Sequence, residues 1–373
     1  MKPNPRILHL AKWYPNAMDP QNGVFIQQQI RICKSFAQHA VLYWGTDDEH
    51  HWTFDREDDI PVMRAYFPKG KRIQNVNRKW QSIRKLVNEA FDGEKPDLIH
   101  LHIADNDQWV IVEYAAAQGI PFFLTEHWSG YLDGRFEEKS TIAKSLSTAL
   151  IKKAKAVTAV SGFLADAIIR TTGRKDVHVI SNSVDLEGVS SSAPSNEASH
   201  FGILADLDDK IKNISGVLRA FRSFVEESPK SKLTIVGGGK DEQKLKKLAV
   251  ELGVAESVHF AGRFEHAESL RQLESVDTII VNSRRETFSI VCLEAVALGK
   301  HLICTKCGGP ETFMRDALVR WTNVEDDIDL LQAMREAKGT PYPSFEQVML
   351  QVEPFLPEVI ASQWQELYRE VIR

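Results

Sequence analysis

Short runs of β-branched and aliphatic residues alternate along this chain with segments long enough to form helices. That alternation is typical of parallel strands joined by helical crossovers. In the first half, the runs that predict strands are 6–10, 40–44, 98–102, 122–125, 156–160 and 177–180. In the second half, they are 201–204, 233–236, 258–260, 278–281 and 302–304. The pattern therefore predicts an α/β protein with two doubly wound sheets.

A serine-rich stretch separates the two halves. Residues 187–196 hold four serines and a proline and have too little apolar surface to pack in a core, which is typical of a linker. The chain length of 373 residues also favours two domains over one. We therefore predict an N-terminal domain over 1–186, a linker over 187–199 and a second domain over 200–354.

The last residues of the chain, 355–373, predict a helix with one apolar face. Val359, Ile360, Trp364 and Leu367 recur there at helical spacing. Because an amphipathic helix must bury its apolar face, we treat 355–373 as a segment of its own.

The composition is that of an ordinary soluble enzyme, with 43% hydrophobic and 26% charged residues. It excludes the collagen-like, disordered and disulfide-scaffold classes. The formal net charge of −5 argues against a dedicated nucleic-acid-binding protein, because phosphate contacts need a basic excess. We expect neither a signal peptide nor a transmembrane helix, since no apolar run reaches the roughly 18 to 20 residues of a membrane span.

The cysteines are Cys33, Cys292, Cys304 and Cys307. They are too few and too unevenly spaced for a disulfide framework, which favours a reducing, cytoplasmic compartment. Cys304 and Cys307 have the spacing of a redox or half-zinc motif, but no second pair of cysteines or histidines at ligand spacing accompanies them. We therefore expect both to be small buried residues at the end of a strand.

The segment between Pro61 and Asn88 carries eight basic residues and no acidic one. Those basic residues are Arg64, Lys69, Lys71, Arg72, Arg78, Lys79, Arg84 and Lys85. With aromatic residues among them, they can lie on an anionic membrane surface or hold a charged acceptor. A solvated loop and helix face explains the same pattern, so the sequence leaves both interpretations open.

In open α/β sheets, ligands bind at the carboxyl ends of the strands, so the loops of the second half are the first place to search. Lys212 and Asn213 stand just before an amphipathic helix predicted over 215–224, where a cation and helix amides can hold a phosphate together. The glycines at 237–239 permit close approach of the backbone to a ligand. Each signal is weak alone, because a surface lysine and a turn explain them as well.

The loop after the predicted strand 278–281 carries more chemistry. Glu286 lies just before a helix, and Glu294 lies just over one turn inside it with its side chain directed back toward the N-terminus. Both carboxylates can therefore reach one ligand, beside the amides of 287–290. That combination suits a sugar nucleotide, with the diphosphate on the amides and the hydroxyls on the carboxylates. The simpler interpretation is that both glutamates only favour the helix N-terminus electrostatically.

With seven residues between Glu286 and Glu294, and with Gly308-Gly309-Pro310-Glu311 after the next strand, the chain resembles family 4 of the retaining glycosyltransferases, which have the GT-B fold. Other segments that resemble the family are 13–15, 23–25, 96–102, 125–127, 160–161, 180–185, 212–213, 235–239 and 258–262. This order and spacing of motifs is specific. The resemblance implies two Rossmann-like domains that face each other across a cleft, with 355–373 returning to the N-terminal, acceptor-side domain.

The resemblance also implies roles for individual residues. Glu294 takes the ribose hydroxyls of the donor, and Glu286 takes the donor sugar and the diphosphate. Lys212 binds phosphate and forms the catalytic group together with His127 and Glu286. The other implied donor-binding residues are Gly23, Asn213, Gly237, Arg263, Phe264, Thr287, Phe288, Ser289 and Ile290.

Two positions depart from the family pattern. Ile203 stands where the family has an arginine, and Ser289 stands where a glycine usually follows Phe288. The first departure leaves neutralisation of the phosphates in doubt unless Arg284, Arg285 or another residue substitutes.

The implied reaction moves a hexose-type sugar from a UDP- or GDP-sugar to a hydroxyl of a glycan or lipid-linked acceptor, in the synthesis of cell-surface polysaccharide. No metal and no cofactor is expected, because no pair of aspartates stands in a suitable loop. No side chain is an evident nucleophile, so we expect a dissociative, oxocarbenium-like step in which a phosphate oxygen accepts the acceptor proton. The alternatives are a GT-B-type protein that binds a nucleotide sugar without transferring it, which the missing arginine favours, and a nucleotide-sugar epimerase.

Overall fold

The computed structural model describes residues 4–185, 199–338 and 340–373, so the predicted linker at 187–199 lies almost entirely outside the described residues. The chain divides into two compact units. Unit 1 comprises Met1–Ser183 and Pro357–Arg373, and unit 2 comprises Val184–Leu356. Each unit holds one predominantly parallel sheet, and the prediction of two doubly wound α/β sheets is confirmed.

Unit 1 contains a sheet of eight strands. They are β1 (Arg6–Ala11), β2 (Gln38–Thr46), β3 (His51–Glu57), β4 (Ile60–Phe67), β5 (Leu98–His102), β6 (Phe122–Glu126), β7 (Val157–Ala159) and β8 (His178–Val179). Their order in the sheet is β3-β4-β2-β1-β5-β6-β7-β8. Neighbouring strands run parallel except β3 and β4, which form an antiparallel hairpin at the edge.

Unit 2 contains a parallel sheet of six strands. They are β9 (His200–Leu204), β10 (Lys232–Val236), β11 (Val258–Gly262), β12 (Thr278–Val281), β13 (His301–Thr305) and β14 (Arg320–Thr322). Their order is β11-β10-β9-β12-β13-β14. The strands β10, β9, β12 and β13 are therefore neighbours, and the loops at their carboxyl ends lie along one edge of the sheet.

The helices connect the strands in both units. They are α1 (Val24–Ile32), α2 (Arg72–Phe91), α3 (Trp109–Gln118), α4 (Arg135–Glu138), α5 (Thr141–Lys153), α6 (Gly162–Thr172), α7 (Asp209–Lys212), α8 (Ile214–Glu227), α9 (Glu242–Glu251), α10 (His266–Arg271), α11 (Ile290–Ala297), α12 (Asp327–Ala337), α13 (Phe345–Val352) and α14 (Pro357–Ile372). Short 3₁₀ turns occupy Asn106–Gln108, Ser129–Tyr131, Ala255–Ser257, Pro310–Thr312, Asp316–Leu318 and Glu353–Phe355.

The core of unit 2 shows why α8 forms. Its apolar residues recur at helical spacing and face the sheet, where Phe221 and Phe224 are buried. The ring of Phe224 meets Phe201 of β9 edge to face, with 5.1 Å between the ring centroids. This packing fixes α8 on the sheet, and therefore fixes the turn that precedes it.

The last helix, α14, belongs to unit 1 and buries its apolar face there. Trp364 and Tyr368 are fully buried in the same cluster as Ile7 and Phe123. The Tyr368 hydroxyl lies 3.0 Å from Nδ1 of His100 on β5. The amphipathic pattern of the last residues is thus satisfied inside the fold.

The strands β3, β4 and β14 were not predicted from the sequence pattern. Most residues of β3 are exposed, so its sequence lacks an apolar run. β4 contains Pro61 and Arg64, which interrupt its run of apolar residues, although the strand is buried. β14 is only three residues long. All three are edge or hairpin strands, where the hydrophobic pattern is weakest.

Part of the basic segment does not face the solvent. Arg64 is 91% buried, and its guanidinium donates to the Pro15 carbonyl at 2.7 Å and pairs with Asp55 and Glu57 of the hairpin. Lys79 pairs with Asp107 at 2.9 Å and lies over the Trp44 ring. Counting Arg64 and Lys79 as surface charges was therefore wrong, because both are desolvated and neutralised by acidic partners.

No helix in the described part of the chain is long and apolar enough to cross a membrane. The four cysteines are buried and unbridged, and Sγ of Cys292 lies 3.8 Å from Sγ of Cys304.

Candidate functional site

An ion pair lies at the carboxyl edge of the sheet in unit 2. Nζ of Lys212, from the turn after β9, is 2.6 Å from Oε1 of Glu286, which follows β12. The Ser283 hydroxyl donates to the same Oε1, also at 2.6 Å. Burial alone would lower the pKa of Lys212, but the charge and hydrogen bond of Glu286 outweigh it and raise the pKa. The lysine is therefore a permanent cation at neutral pH.

The backbone at Asn213 sets the direction in which Lys212 leaves the turn. α7 is a single turn, and Asn213 at its end has φ 47°, the left-handed conformation that asparagine tolerates. The Asn213 carbonyl accepts from the amide side chain of Asn282 at 3.0 Å. α8 begins directly afterwards at Ile214, so Lys212 stands beside a helix N-terminus, as the sequence predicted.

The glycines after β13 support the backbone of Glu286. The Glu286 amide donates to the Cys307 carbonyl at 3.1 Å, and the Gly309 amide donates to the Glu286 carbonyl at 3.0 Å. A Cβ on Gly309 would lie 2.6 Å from the Phe288 amide nitrogen. Only glycine allows the two loops to approach this closely.

Glu294 lies inside α11 and is 97% buried. Its Oε1 is 3.1 Å from Nε2 of His266. Within the described residues, neither of its carboxylate oxygens accepts a well-aligned hydrogen bond. Burial lowers the pKa of His266, but the neighbouring Glu294 and, to a smaller extent, the charge of Asp185 outweigh it and raise the pKa. A buried carboxylate with unused acceptors is costly unless a ligand donates to it.

No side-chain hydrogen bond caps the N-terminus of α11 in the described structure. Ser289 is the N-cap residue and has φ 72° and ψ 80°, a left-handed conformation that favours glycine. Among the described residues, no backbone carbonyl outside α11 accepts from the amides of Phe288, Ser289 or Ile290. Ser289 and Lys212 line the same cavity, so these amides can bind an anion beside the lysine.

Arg284, one candidate to replace the arginine that the family has at the Ile203 position, contacts backbone carbonyls and a carboxylate. Ile203 is buried in the core of unit 2 at the end of β9. The guanidinium of Arg284 is held by the turn that carries Lys212 and by Glu325 at 2.6 Å. Arg263 also has partners, since it contacts Asp206 at 2.5 Å and the Gly238 carbonyl at 3.2 Å.

The glycines after β10 have a structural reason. A Cβ on Gly237 would lie 1.9 Å from the Ala205 carbonyl oxygen, and one on Gly239 would lie 2.8 Å from the Leu207 amide nitrogen. Gly237 donates its amide to the Gly262 carbonyl at 2.8 Å. The sequence predicted that a ligand approaches these glycines closely. In the structure, the loop after β9 makes that close approach.

In unit 1, His127 follows β6 and Gly23 precedes α1. His127 is 94% buried, its ring lies 4.7 Å from that of Phe25, and burial lowers its pKa to about 3. The imidazole is therefore neutral at physiological pH. Gly23 has φ 71°, and a Cβ there would lie 2.5 Å from the Trp13 carbonyl carbon.

A group of buried histidines in unit 1 was missed by the sequence analysis. Nitrogens of His9, His100 and His102 lie within 4.8 Å of one another, and within the described ranges this is the one cluster of His, Cys, Asp or Glu residues compact enough for a metal ion. Both ring nitrogens of His9 and of His100 already take part in hydrogen bonds. Alternate histidines on β5, at positions 100 and 102, were the signal in the sequence.

The sequence analysis named Arg284 only as a possible phosphate-binding residue and missed the other residues that support the ion pair. Ser283, Arg284 and Asn282 fix Lys212 and Glu286, and His266 stands beside Glu294. For Asn282, Ser283 and Arg284, the available signal in the sequence was their position directly after β12. His266 reaches the site from a different helix, so nothing in the linear sequence indicated it.

Comparison with protein families gives two matches that do not overlap. Residues 37–187 match the family described as Glycosyltransferase Family 4, and residues 194–337 match the family described as Glycosyl transferases group 1. Together the two matches include every unit 2 residue of the candidate site as well as His127.

Curated relatives match parts of the chain. A lipopolysaccharide core biosynthesis glycosyltransferase, LpsD of Rhizobium meliloti, is 32% identical over 35% of this chain and 37% of its own length. A glycogen synthase of Mycobacterium tuberculosis is 24% identical over 71% of this chain and 63% of its own length. The matches thus span from about a third to about two thirds of these relatives.

Solved structures share the fold over nearly their whole length. Sucrose-phosphate synthase from Thermosynechococcus elongatus has a TM-score of 0.75 and 17% identity, with 98% of both chains covered. HepE of Anabaena, in complex with UDP-glucose, has a TM-score of 0.74 and 18% identity, with 98% of this chain and all of that chain covered. At this identity the likeness concerns the fold.

Proposed function

Because this chain belongs to the glycosyltransferases of family 4 and group 1 and has their GT-B fold, we propose that it moves a hexose-type sugar from a UDP- or GDP-sugar to an acceptor hydroxyl, with retention of configuration. The observation that carries the proposal is the buried carboxylate of Glu294, which has His266 as its neighbour and spare acceptor capacity. It lies on the helix that follows the Lys212–Glu286 ion pair and begins with amides that no described backbone carbonyl outside α11 accepts.

The nucleoside of the donor would bind to Glu294. A ribose presents two neighbouring hydroxyl donors, and the Glu294 carboxylate, whose Oε1 also lies 3.1 Å from His266, has lone pairs to accept from both. The charge-assisted hydrogen bonds would satisfy a group that is otherwise costly to bury. The base would lie against the backbone of Arg263 and Phe264, the position that the family resemblance implies.

The diphosphate would bind to Lys212 and the amides at the start of α11. Lys212 is a cation in the unliganded protein, with its charge balanced by Glu286. As the sugar leaves, negative charge grows on the diphosphate, and a fixed ammonium with helix amides stabilises that charge without reorganising. Glu286 would then be free to accept hydrogen bonds from the donor sugar.

The transfer step would be dissociative. We propose an oxocarbenium-like transition state, a phosphate oxygen as the acceptor of the hydroxyl proton, and no metal ion. His127 would serve the donor sugar, as the resemblance implies. Since burial lowers its pKa to about 3, it would act as a neutral hydrogen-bonding partner instead of a general acid.

The acceptor would be a glycan or a lipid-linked saccharide of the cell surface, and the reaction would take place on the cytoplasmic side of the membrane. The name of the Rhizobium meliloti relative, which places it in lipopolysaccharide core biosynthesis, supports this class of acceptor. The exposed basic residues of α2 and the loop before it, among them Lys69 and Lys71, would hold the enzyme against anionic lipid.

The proposal is tested by nucleotide binding and product analysis on the whole chain. UDP, GDP and their sugars are screened by thermal shift, and the affinity of each hit is measured by calorimetry. Glu294→Gln removes the acceptor charge with little change in shape and should weaken nucleotide binding by about tenfold or more. Exposed Glu251→Gln is the matched control on α9.

Turnover is then followed with the bound sugar nucleotide and saccharide acceptors, and the anomeric configuration of the product is read by NMR. Retained configuration supports the proposal. Inversion would overturn the proposed stereochemistry, and binding without transfer to any acceptor would favour the protein that only binds the nucleotide sugar.

A further inference from the structure

The half-buried side chain of Arg284 contacts the turn that carries Lys212. Its Nη1 donates to the carbonyl of Asp209 at 2.6 Å and to that of Lys210 at 3.3 Å. Its Nη2 donates to Oδ1 of Asn213 at 3.0 Å. One guanidinium thus binds three residues of the same turn.

Two further contacts fix Arg284 itself. Its backbone amide donates to the Ile211 carbonyl at 2.8 Å. Its Nε is 2.6 Å from Oε1 of Glu325, on the loop before α12. The arginine therefore connects the loop after β12 to the loop after β9 through both its backbone and its side chain.

The Lys212 turn depends on such a partner. α7 has only four residues, so its backbone carbonyls find few partners within the helix. The left-handed Asn213 then changes the chain direction into α8. Arg284 donates hydrogen bonds to two of these carbonyls and to the Asn213 side chain. It thereby stabilises the turn in the conformation in which Lys212 pairs with Glu286.

Arg284 and Glu286 belong to the same short loop. Ser283 of that loop bonds the Glu286 carboxylate, while Arg284 bonds the turn of Lys212. We propose that Arg284 is a positioning residue, which holds Lys212 at the place where the donor diphosphate binds. This inference rests on the proposed function, because it assigns a purpose to Lys212.

The alternative is that Arg284 contacts the phosphates itself, in place of the arginine missing at Ile203. A guanidinium has five N–H donors in a fixed fork. The contacts described above use four of these donors, namely one on Nε, two on Nη1 and one on Nη2. Moving the guanidinium to a phosphate would break the contacts that keep Lys212 in place.

A double-mutant cycle on the full chain distinguishes the two roles. UDP, UMP, GDP and GMP are each titrated by calorimetry into the wild type, Arg284→Ala, Lys212→Ala and the double variant. Arg335→Ala is the control, because Arg335 forms an exposed ion pair with Glu227 at the C-terminal ends of α12 and α8, whereas Arg284 contacts the residues that precede these helices. Melting temperatures confirm that each variant is folded.

If Arg284 positions Lys212, Arg284→Ala should weaken UDP or GDP by about tenfold or more and reduce the preference for the diphosphate over the monophosphate. In the Lys212→Ala background, the same change should have almost no further effect, because no lysine is left to position. Guanidinium ion at low millimolar concentration should partly restore diphosphate binding to Arg284→Ala.

Additive losses in the double variant would overturn the inference, and so would full affinity in Arg284→Lys, since a lysine can meet a phosphate but cannot bond three groups of the turn. If Arg284→Ala does not fold, the cycle is run with Arg284→Lys. Wild-type protein that binds neither diphosphate would refute the proposed function. Wild-type binding with an unaffected Arg284→Ala would refute only the positioning role.

Discussion

Nδ1 of His9 lies 3.0 Å from Nε2 of His102 in the interior of unit 1. The other His9 nitrogen, Nε2, lies 2.8 Å from Nδ1 of His39, whose own Nε2 is 3.1 Å from the Cys33 carbonyl. A carbonyl only accepts hydrogen bonds, so the Nε2–H of His39 must donate to it. When all three rings are neutral, His9 donates from Nε2 to Nδ1 of His39, and His102 donates from Nε2 to Nδ1 of His9. Nδ1 of His102 then carries no proton.

These histidines predict a loss of stability in acid. Burial lowers the pKa of His39 to about 4, and burial first, then neighbouring histidines, holds the pKa of His9 and His102 well below 6.5. Because these folded-state pKa values lie below the unfolded value, the stabilisation is complete above pH 6.5 and is lost as the pH falls toward 4. The free energy of unfolding, measured with urea at pH 7 and pH 5, should drop.

His39→Gln separates this effect from general acid denaturation. A single group with the pKa of His39 accounts for about 2 kcal/mol of the loss between pH 7 and pH 5, so the variant should lose correspondingly less. Exposed His178→Gln should leave the slope unchanged. Glu126, whose pKa burial raises to about 7, acts in the opposite direction and is present in all three proteins. A slope in His39→Gln equal to that of the wild type would contradict the prediction.

Lys212→Ala should lower turnover by roughly 10²-fold or more, the scale for removing one preorganised group that stabilises leaving charge. The neighbouring exposed Lys210→Ala keeps its backbone contacts and should retain turnover, which makes it a matched control. Initial rates are measured at saturating donor, after circular dichroism shows that both variants are folded. A loss of only a few-fold in Lys212→Ala would exclude the assigned role.

Ser289→Gly should stabilise the protein. The serine has φ 72° and its side chain has one weak contact, a 3.5 Å approach of the Cys292 thiol. Relieving the left-handed strain should gain about 1 kcal/mol in the free energy of unfolding, less the entropy cost of a glycine. Ser289→Ala keeps the Cβ and should give no gain, so equal effects of the two changes in urea unfolding would refute the strain argument.

The sequence predicted the fold, and it predicted that Lys212 and Glu286 lie on neighbouring loops of one sheet, for a physical reason. Buried parallel strands give continuous apolar runs, and the loops after them were the correct place to find Lys212 and Glu286. The environment of these residues could not be predicted in the same way. Arg284 could equally face a phosphate or a backbone turn, and only the packing of β9 beside β12 decides where its guanidinium lies.

Activity should persist in EDTA. In the proposed site, Lys212 and the amides at the start of α11 would stabilise the leaving diphosphate, so we expect no divalent cation to be required. Initial rates are compared before and after chelation, with Mn²⁺ and Mg²⁺ added back separately. Abolition of activity by EDTA with recovery on adding either ion would contradict a metal-independent mechanism.

Membrane binding should depend on only part of the basic segment. Lys69, Lys71 and Arg84 are exposed, whereas Arg64 and Lys79 are held by acidic partners. A basic residue near an anionic surface contributes about 1 kcal/mol, so the exposed charges should hold the protein on phosphatidylserine vesicles at low salt and release it at high salt. Flotation of the wild type is compared with a variant in which Lys69, Lys71 and Arg84 are all changed to Gln.

The control for flotation is a second triple variant with the same change in net charge, in which the exposed Lys230, Lys244 and Lys247 of unit 2 are changed to Gln, and it should float like the wild type. The exposed charge, and not the number of basic residues, should then decide how much protein floats with the vesicles. A desolvated lysine or arginine with an acidic partner forms a pair without net charge, so it does not attract an anionic lipid. No flotation of the wild type at low salt, or equal flotation of the first triple variant, would mean that the segment is only a solvated face of unit 1.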